Sequence, residues 1–172
     1  MSCKNVVESK GFSPVIGSNA RVMILGSLPS QQSLIQQEYY ANPRNVFWRI
    51  MGEITSIKCS DAYETRCGEL INHGFALWDV LKSSVRPGSL DSSIEVRSAR
   101  ENDFAGLLAQ HREIKLIAFN GMKSRQLFDQ LVLKSFSLPN GVELVNLPSS
   151  SPAHAAMSFE TKRELWSVIG TH

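Results

Sequence analysis

The sequence predicts an α/β fold in which four short apolar strands alternate with segments of helical periodicity. The strands are expected at residues 21–25, 75–81, 114–119 and 142–147. Each run ends in a loop rich in Gly, Ser, Pro or Asn, or in a polar turn, which is typical of strands buried inside a parallel sheet. Because helical segments separate these strands along the chain, we expect a mostly parallel sheet with helices on both faces.

The first strand is followed by two predicted helices. The apolar run RVMIL at 21–25 stops at the segment GSLPS, residues 26–30, which predicts a buried strand that ends in a tight loop. Residues 30–38 then favour a short helix. The segment NVFWRIMGEI at 45–54 favours a second helix, with Asn45 as its N-cap.

A third helix is predicted over residues 61–73, where apolar or small residues recur at helical spacing. Asp61 and Glu64 resemble a capping box at its start. Gly74 is expected to end it, because glycine readily adopts the left-handed conformation found after helix C-termini.

The polar segment KSSVRPGSLDSS at 82–93 indicates a loop after the second strand. The rest of the chain is expected to contain a helix at 98–110, the strand at 114–119, a helix from the Asn120-Gly121 turn to residue 132, the strand at 142–147 and a helix at 159–169. With no internal repeat and no long linker, residues 1–172 are interpreted as a single domain.

Composition excludes several classes of protein. The 172 residues are 42% hydrophobic and 20% charged, close to the globular mean, which excludes a disordered or fibrous chain. The net charge of +2 is too small to indicate nucleic-acid binding by bulk charge, although it leaves room for local positive charge.

Neither a metal nor another cofactor is expected. Cys3, Cys59 and Cys67 are an odd number and form no C-x-x-C pair, which argues against a disulfide framework and a four-thiolate metal site. The four histidines are scattered along the chain. No signal peptide and no apolar run of membrane-spanning length is visible, so we expect a soluble, cytoplasmic protein.

The ligand site is expected in the loops that follow the strands, because open parallel sheets bind ligands outside the carboxyl ends of their strands. These loops lack the common nucleotide-binding, metalloprotease and nucleophile-elbow signatures. A small-molecule hydrolase that uses Ser27 and His154 stays open as an alternative.

The segment YYANPRNVFW at 39–48 combines aromatic, amide and proline residues just after the first loop. Aromatic faces and amides suit a nucleobase, which can be stacked on a ring and hydrogen-bonded along its edge. We expect Phe47 and Trp48 to be core residues instead. Tyr40, Asn42 and Asn45 are therefore the candidates for base contact.

Three segments together resemble the signature regions of the uracil-DNA glycosylase superfamily: GSLPS at 26–30, YYANPRNVFW at 39–48 and LPSSSPA at 147–153. The hypoxanthine (deoxyinosine) DNA glycosylases are the most similar branch, followed by the mismatch-specific uracil glycosylases. A weaker similarity continues through WDVL at 78–81 and GSLDSSI at 88–94, so the resemblance spans most of the chain.

The resemblance implies a three-layer α/β/α sandwich around a four-stranded, mostly parallel sheet. It also implies an enzyme that flips a deaminated base out of DNA and hydrolyses its N-glycosidic bond. The base pocket would be lined by Gly26, Ser27, Leu28, Pro29, Tyr40 and Asn42, with Tyr40 stacked on the base. The loop that enters the duplex and grips phosphate would consist of Leu147, Pro148, Ser149, Ser150, Ser151 and Pro152.

Two positions depart from the related families. Leu28 stands where the mismatch-specific uracil enzymes have a catalytic Asn, so the resemblance to the deoxyinosine branch makes Asn45 the candidate for the catalytic amide. Asn42 stands at a position that is often His in relatives. We expect Arg44 and His154 to contact DNA, and Arg86 to supply a further local cation, with modest salt sensitivity of binding.

The expected substrate is double-stranded DNA with a deaminated base, hypoxanthine or uracil or both. Xanthine, mispaired thymine and single-stranded DNA stay open as substrates. No lysine of the motifs is placed as a Schiff-base nucleophile, and Lys82 and Lys123 are expected to be phosphate contacts or surface charges. We therefore expect a monofunctional, monomeric glycosylase without a lyase step. Asp79 is expected to cap the turn after the second strand, and a role as general base stays open as the alternative.

Overall fold

The computed structural model describes residues 8–172. The described residues form seven strands: β1 (Glu8–Lys10), β2 (Val22–Gly26), β3 (Phe75–Asp79), β4 (Leu81–Val85), β5 (Arg100–Glu101), β6 (Leu116–Asn120) and β7 (Glu143–Leu147). They also form six α-helices: α1 (Gln31–Gln36), α2 (Phe47–Ile54), α3 (Tyr63–Asn72), α4 (Phe104–Gln110), α5 (Met122–Leu127) and α6 (Phe159–Trp166). Cys3 and the first residues of the N-terminal segment, on which the signal-peptide prediction partly rests, lie outside the described residues.

The central sheet confirms the main prediction. Strands β2, β3, β6 and β7 pair in the order β3-β2-β6-β7, and every pairing is parallel. All residues of β2, β3 and β6 are buried. This burial on both faces explains why these strands are continuous apolar runs without polar alternation.

Two hydrophobic clusters cover the two faces of the sheet. On one face, Ile24 of β2 lies in a cluster with residues of α2, α3 and α6, including Phe47, Leu70 and Trp166. On the other face, Met23 shares a cluster with residues of α4 and α5. Neighbouring strand residues point to opposite faces, so the chain forms the expected three-layer α/β/α sandwich.

A second, smaller sheet contradicts the prediction of a loop over 82–93. Strand β4 lies between β1 and β5, and both pairings are antiparallel. Its polar composition does not indicate a strand, because two of its three buried positions are serines. Ser83 Oγ donates a hydrogen bond to Glu8 Oε1 at 2.7 Å, and Ser84 is fully buried.

The same pairing shortens the helix predicted at 98–110. Residues 100–101 form β5, so helix α4 begins only at Phe104. Asp103 caps it by accepting a hydrogen bond from the Gly106 N–H at 2.9 Å. Apolar spacing alone did not distinguish the short strand from the first turn of the helix.

The starts of two helices also differ from the prediction. Helix α2 begins at Phe47 with Val46 as its N-cap, one residue after the predicted Asn45. The capping box at the start of α3 is wrong, since Asp61 Oδ2 accepts a hydrogen bond from the Lys58 N–H instead. Gly74 does follow the end of α3, with φ at +79°.

No helix within residues 8–172 is long and apolar enough to cross a membrane. Cys59 and Cys67 carry free thiols.

Candidate active site

A cleft of about 640 Å³ opens at the carboxyl ends of the parallel strands. Gly26 ends β2, Asp79 ends β3 and Asn120 ends β6, and all three line it. Residues 149–154, which follow β7, form another part of its wall. The cleft therefore lies where the rule for open parallel sheets places a ligand site.

The loop after β2 forms part of the wall of the cleft, and the buried side chain of Arg86 holds it in place. The predicted base-binding residues Gly26, Ser27, Leu28 and Pro29 all line the cleft. The carbonyl of Leu28 accepts a hydrogen bond from Arg86 Nη1 at 3.1 Å, and the carbonyl of Pro29 accepts one from Arg86 Nη2. These charge-assisted bonds fix the shape of the loop.

The prediction that Arg86 supplies a cation for DNA is wrong. Its side chain is fully buried and its guanidinium lies behind the loop, 4.0 Å from Asp91 Oδ1. A phosphate group cannot reach a guanidinium that is covered and already hydrogen-bonded to protein carbonyls. Sequence gave no sign of this burial, because arginine is rarely buried.

Ser27 does not form the pair that a serine hydrolase requires. Its Oγ donates a hydrogen bond to Asp91 Oδ1 at 2.5 Å. His154 is exposed on another part of the wall, where its backbone carbonyl accepts a hydrogen bond from Lys162 Nζ at 2.8 Å. Because a triad needs an imidazole hydrogen-bonded to the nucleophile, the hydrolase alternative is not supported.

Tyr40 presents an aromatic ring to the cleft from a strained backbone. Its φ is +56°, a value uncommon for residues other than glycine, and such strain concentrates at functional sites. One ring face stacks on Phe47, with the centroids 4.1 Å apart and the planes 23° from parallel. Phe47 and Trp48 are buried in the core, as expected.

The hydroxyl of Tyr40 is buried and has no hydrogen-bond partner among the described residues. Desolvation by burial, followed by the nearby Asp79, raises the pKa of this hydroxyl well above its ordinary value. Tyr40 is therefore neutral at physiological pH, with its hydroxyl buried near Asp79 and Asn120.

The two amides of the aromatic segment are held through their oxygens. Asn42 Oδ1 accepts a hydrogen bond from the Arg44 N–H at 2.9 Å, and Asn45 Oδ1 accepts one from the Phe47 N–H at 3.0 Å. Both residues line the cleft, and neither Nδ2 group donates a hydrogen bond to a described residue. Each side chain thus keeps a fixed oxygen and a free amide donor.

The loop after β7 is joined to two other walls of the cleft. Asn120 Nδ2 donates to Ser150 Oγ, and the Ser150 N–H donates to Asn120 Oδ1, both at 2.8 Å. The carbonyl of Ser150 accepts a hydrogen bond from the Val46 N–H at 3.1 Å. Ser149, Ser150 and Ser151 consequently line the same cleft as the aromatic segment.

Leu147 and Pro148 do not line the cleft. Leu147 is the last residue of β7 and is only 3% exposed, packed in the cluster that contains Phe47 and Trp166. The carbonyl of Pro148 accepts a hydrogen bond from Trp166 Nε1 at 2.9 Å, and Pro148 does not line the cleft. The prediction that Leu147 enters the duplex is therefore wrong, because its side chain belongs to the core.

Two cations line the cleft. Arg44 is exposed, as expected for a DNA contact, and Lys123, at the start of α5, is partly buried. Exposed apolar side chains of Leu90 and Met122 also line it. No group of three His, Cys, Asp or Glu side chains within residues 8–172 is arranged as a metal site.

Sequence reasoning named Asn120 only as part of a loop and favoured a capping role for Asp79, so it assigned neither side chain to the site. Asp79 is 3% exposed, and its Oδ2 has no hydrogen-bond partner among the described residues, so the prediction that it caps a turn is wrong. Desolvation, followed by the charge of Asp91, raises the pKa of Asp79 to about 8, against a lowering effect of Arg86. The strand-end rule applied to side chains as well as loops would have selected both residues.

Comparison with known proteins identifies the family. Residues 14–169 match the model of the uracil DNA glycosylase superfamily. A protein of Methanosarcina acetivorans named hypoxanthine DNA glycosylase is 38% identical over 164 residues, which cover 95% of this chain and 98% of the relative. A protein of Methanosarcina barkeri with the same name is 34% identical over 161 residues, covering 93% of this chain and 96% of the relative.

A solved structure agrees with these sequence matches. The solution NMR structure of a candidate uracil DNA glycosylase from M. acetivorans is 36% identical and superposes with a TM-score of 0.80. The superposition covers 96% of this chain and 98% of that one. The chain belongs to the uracil DNA glycosylase superfamily and is a DNA glycosylase.

Proposed function

We propose that the enzyme excises hypoxanthine from double-stranded DNA, with uracil as a second substrate. The observation that carries this proposal is the Tyr40 ring, backed by Phe47 on one face, beside the free amide donor of Asn45 in the strand-end cleft. The two Methanosarcina relatives named hypoxanthine DNA glycosylase support the choice of base.

In this proposal the flipped base stacks on the face of Tyr40 that Phe47 does not cover. Extrusion of a nucleotide from the duplex costs a few kcal/mol, and stacking returns about 1–3 kcal/mol. The balance favours bases that pair poorly with their partner and leave the helix easily. Deaminated bases and mismatches meet this condition, which places xanthine and mispaired thymine among the substrates to test.

DNA contacts in the proposal come from groups around the cleft. Arg44 and His154 supply side chains for the phosphates, and the loop at 149–151 supplies the hydroxyls of Ser149 and Ser151. Ser150 is 1% exposed and its N–H and hydroxyl are bonded to Asn120, so it holds the loop in place instead. Because this footprint includes few cations, affinity should fall only modestly as salt concentration rises. We propose that the enzyme acts as a monomer.

Asn45 is the proposed catalytic amide. Glycosidic hydrolysis develops positive charge on the sugar and negative charge on the leaving base, so a fixed donor aimed at the base or at the attacking water lowers the barrier. The bond from Phe47 to Asn45 Oδ1 holds the amide in place before substrate arrives. Removal of one such preorganised donor typically costs a factor of ~10²–10³ in rate.

The proposed reaction is monofunctional and ends at an abasic site. A lyase step requires an amine that forms a Schiff base with C1′. Lys123 is the cleft lysine whose role must be tested, and we propose that it contacts phosphate.

A panel of duplexes tests the proposal, each with one hypoxanthine, uracil, xanthine or G·T mismatch. After incubation with the enzyme, hot alkali cleaves the strand at every abasic site. The expected order is hypoxanthine, then uracil, with no strand break before alkali. Absence of cleavage at hypoxanthine would reject the proposed substrate, and borohydride trapping of a protein–DNA adduct would reject the monofunctional reaction.

A further inference from the structure

The carboxyl group of Asp79 has no structural explanation within the fold. It ends the buried strand β3, is 3% exposed and lines the cleft. Its Oδ2 is buried and receives no hydrogen bond from any described residue. Buried polar groups are nearly always paired because an unpaired one destabilises the protein, so the exception calls for a partner that binds in the cleft.

The surroundings of Asp79 place it beside the proposed base-stacking ring. A Cβ atom built on Gly26 would lie 2.5 Å from Asp79 Oδ1 and 3.1 Å from Tyr40 Oη. Because Gly26 has no side chain, the carboxyl group and the hydroxyl group border the same small space. A base stacked on Tyr40 would therefore present one edge to Asp79.

Burial and the nearby Asp91 keep this carboxyl group protonated near neutral pH. Burial is the largest effect, and the carboxylate of Asp91 adds to it, which together raise the pKa of Asp79 to about 8. Arg86 acts in the opposite direction, but its guanidinium donates to the carbonyls of Leu28 and Pro29. The hydroxyls of Tyr39 and Tyr40 stay neutral, since burial raises the pKa of both.

A proton donor at this place suits a purine leaving group. When the bond between C1′ and N9 breaks, its electron pair stays on the base, and a proton delivered to N7 makes hypoxanthine leave as a neutral molecule. General acids of this kind typically contribute a factor of 10²–10⁴. The uracil anion delocalises its charge over two carbonyl groups and depends less on such a proton.

We infer that Asp79 is the general acid that protonates the leaving purine, an inference that rests on the proposed excision of hypoxanthine. The C1′–N9 bond breaks, the Asp79 proton moves to N7, and the oxygen of one water molecule bonds to C1′. One proton of that water is released and restores the Asp79 carboxyl group. The products are free hypoxanthine and an abasic deoxyribose, with no net change in Asp79.

The test is the rate of base excision under single-turnover conditions with enzyme in excess. Asp79→Asn preserves the shape of the side chain but has no transferable proton. We expect it to lower hypoxanthine excision 10²–10⁴-fold while changing excision of 5-fluorouracil, whose anion leaves readily, less than tenfold. The matched control is Asp103→Asn, an exposed cap of α4 that asparagine also caps, and it should match wild type.

The pH profile separates proton donation from a structural role. The wild-type rate on hypoxanthine should fall as pH rises through about 8, where Asp79 loses its proton, and the residual rate of Asp79→Asn should lack that step. Equal losses on both bases, or a variant within tenfold of wild type on hypoxanthine, would overturn the inference. If wild type itself leaves hypoxanthine in place but excises 5-fluorouracil, the proposed substrate fails and the acid has no purine to act on.

Discussion

Asn120 and Ser150 form a two-point pair, with the Asn120 amide donating to Ser150 Oγ and accepting from the Ser150 N–H, both at 2.8 Å. The pair joins the end of β6 to the loop after β7. Because Ser150 also accepts a hydrogen bond from Val46, these contacts link two strand ends to the aromatic segment. The shape of the cleft therefore depends on one buried asparagine.

Replacement of Asn120 should cost more stability than replacement of Ser150. Asn120→Ala removes both hydrogen bonds and leaves the buried Ser150 N–H without an acceptor, a loss of about 2–4 kcal/mol. Ser150→Ala removes only the hydroxyl partner and should cost about 1 kcal/mol. Urea denaturation of both variants measures the difference, and equal free energies of unfolding would contradict the importance of the buried N–H.

Gly26→Ala should abolish most excision activity. The added Cβ would lie 2.5 Å from Asp79 Oδ1, closer than real Cβ contacts allow, so the carboxyl group or the loop must shift. We expect at least a tenfold loss of excision rate, because a displacement of about 1 Å can cost ~10²-fold.

Gly68→Ala is the matched control for this substitution. No atom lies within 4 Å of the Cβ that would be added there, and helix α3 should gain about 0.5–1 kcal/mol of stability. Its excision rate should equal that of wild type. Normal activity of Gly26→Ala would show that the space beside Gly26 is not used by the base.

Asn45→Asp separates the catalytic role of Asn45 from its structural role. The carboxylate can still accept the hydrogen bond from Phe47, so the start of α2 should be retained. The free Nδ2 donor is lost and a negative charge faces the developing anion of the base. Excision should fall at least ~10²-fold, with little change in thermal stability.

Asn146→Asp is the control for this exchange, since Asn146 is exposed on β7 outside the cleft. It should excise hypoxanthine at the wild-type rate. A wild-type excision rate for Asn45→Asp would show that Asn45 is not a catalytic residue.

Asp79→Asn should stabilise the protein increasingly as pH rises from 5 to 8. The pKa of Asp79 is raised from 3.8 to about 8, so between these values the folded state keeps a proton that the unfolded state has released. The free energy of unfolding therefore falls as pH rises across this window, and the decrease due to Asp79 is complete above about pH 8. Asp79→Asn has no carboxyl group to ionise, so it avoids this loss. The difference in free energy of unfolding between the variant and wild type should therefore be larger at pH 8.5 than at pH 5 by on the order of a few kcal/mol.

Thermal or urea unfolding of both proteins across this pH range measures that gain. A difference in free energy of unfolding between wild type and Asp79→Asn that stays constant from pH 5 to 8.5 would show that Asp79 is ionised in the folded protein at neutral pH. Asp79 would then have no proton to donate to the purine.

The central sheet and the loops of the cleft could be predicted from sequence because their signals are local. Buried parallel strands are continuous apolar runs, and the loops that follow them carry Gly, Ser, Pro and Asn. The small sheet was missed because β4 buries serines, whose hydroxyls find partners only in the folded chain, such as Glu8 for Ser83. Its strand pattern cannot be read from hydrophobicity.

The burial of two ionisable side chains could not be predicted for a similar reason. Arg86 and Asp79 are buried by contacts with distant segments, and no local pattern distinguishes a buried charge from a surface one. Leu147 shows the opposite error, because an apolar residue in a signature loop was expected at the DNA and instead completes the core. Motifs indicated the region of the cleft, and packing decided which of its side chains line it.

The proposed excision of hypoxanthine is measured by mass spectrometry of the products from a duplex with one hypoxanthine. We expect one free hypoxanthine for each abasic site formed, with the DNA strand intact until alkali is added. Release of a deoxyinosine nucleotide, a strand break without alkali, or an unchanged duplex would contradict the proposed reaction.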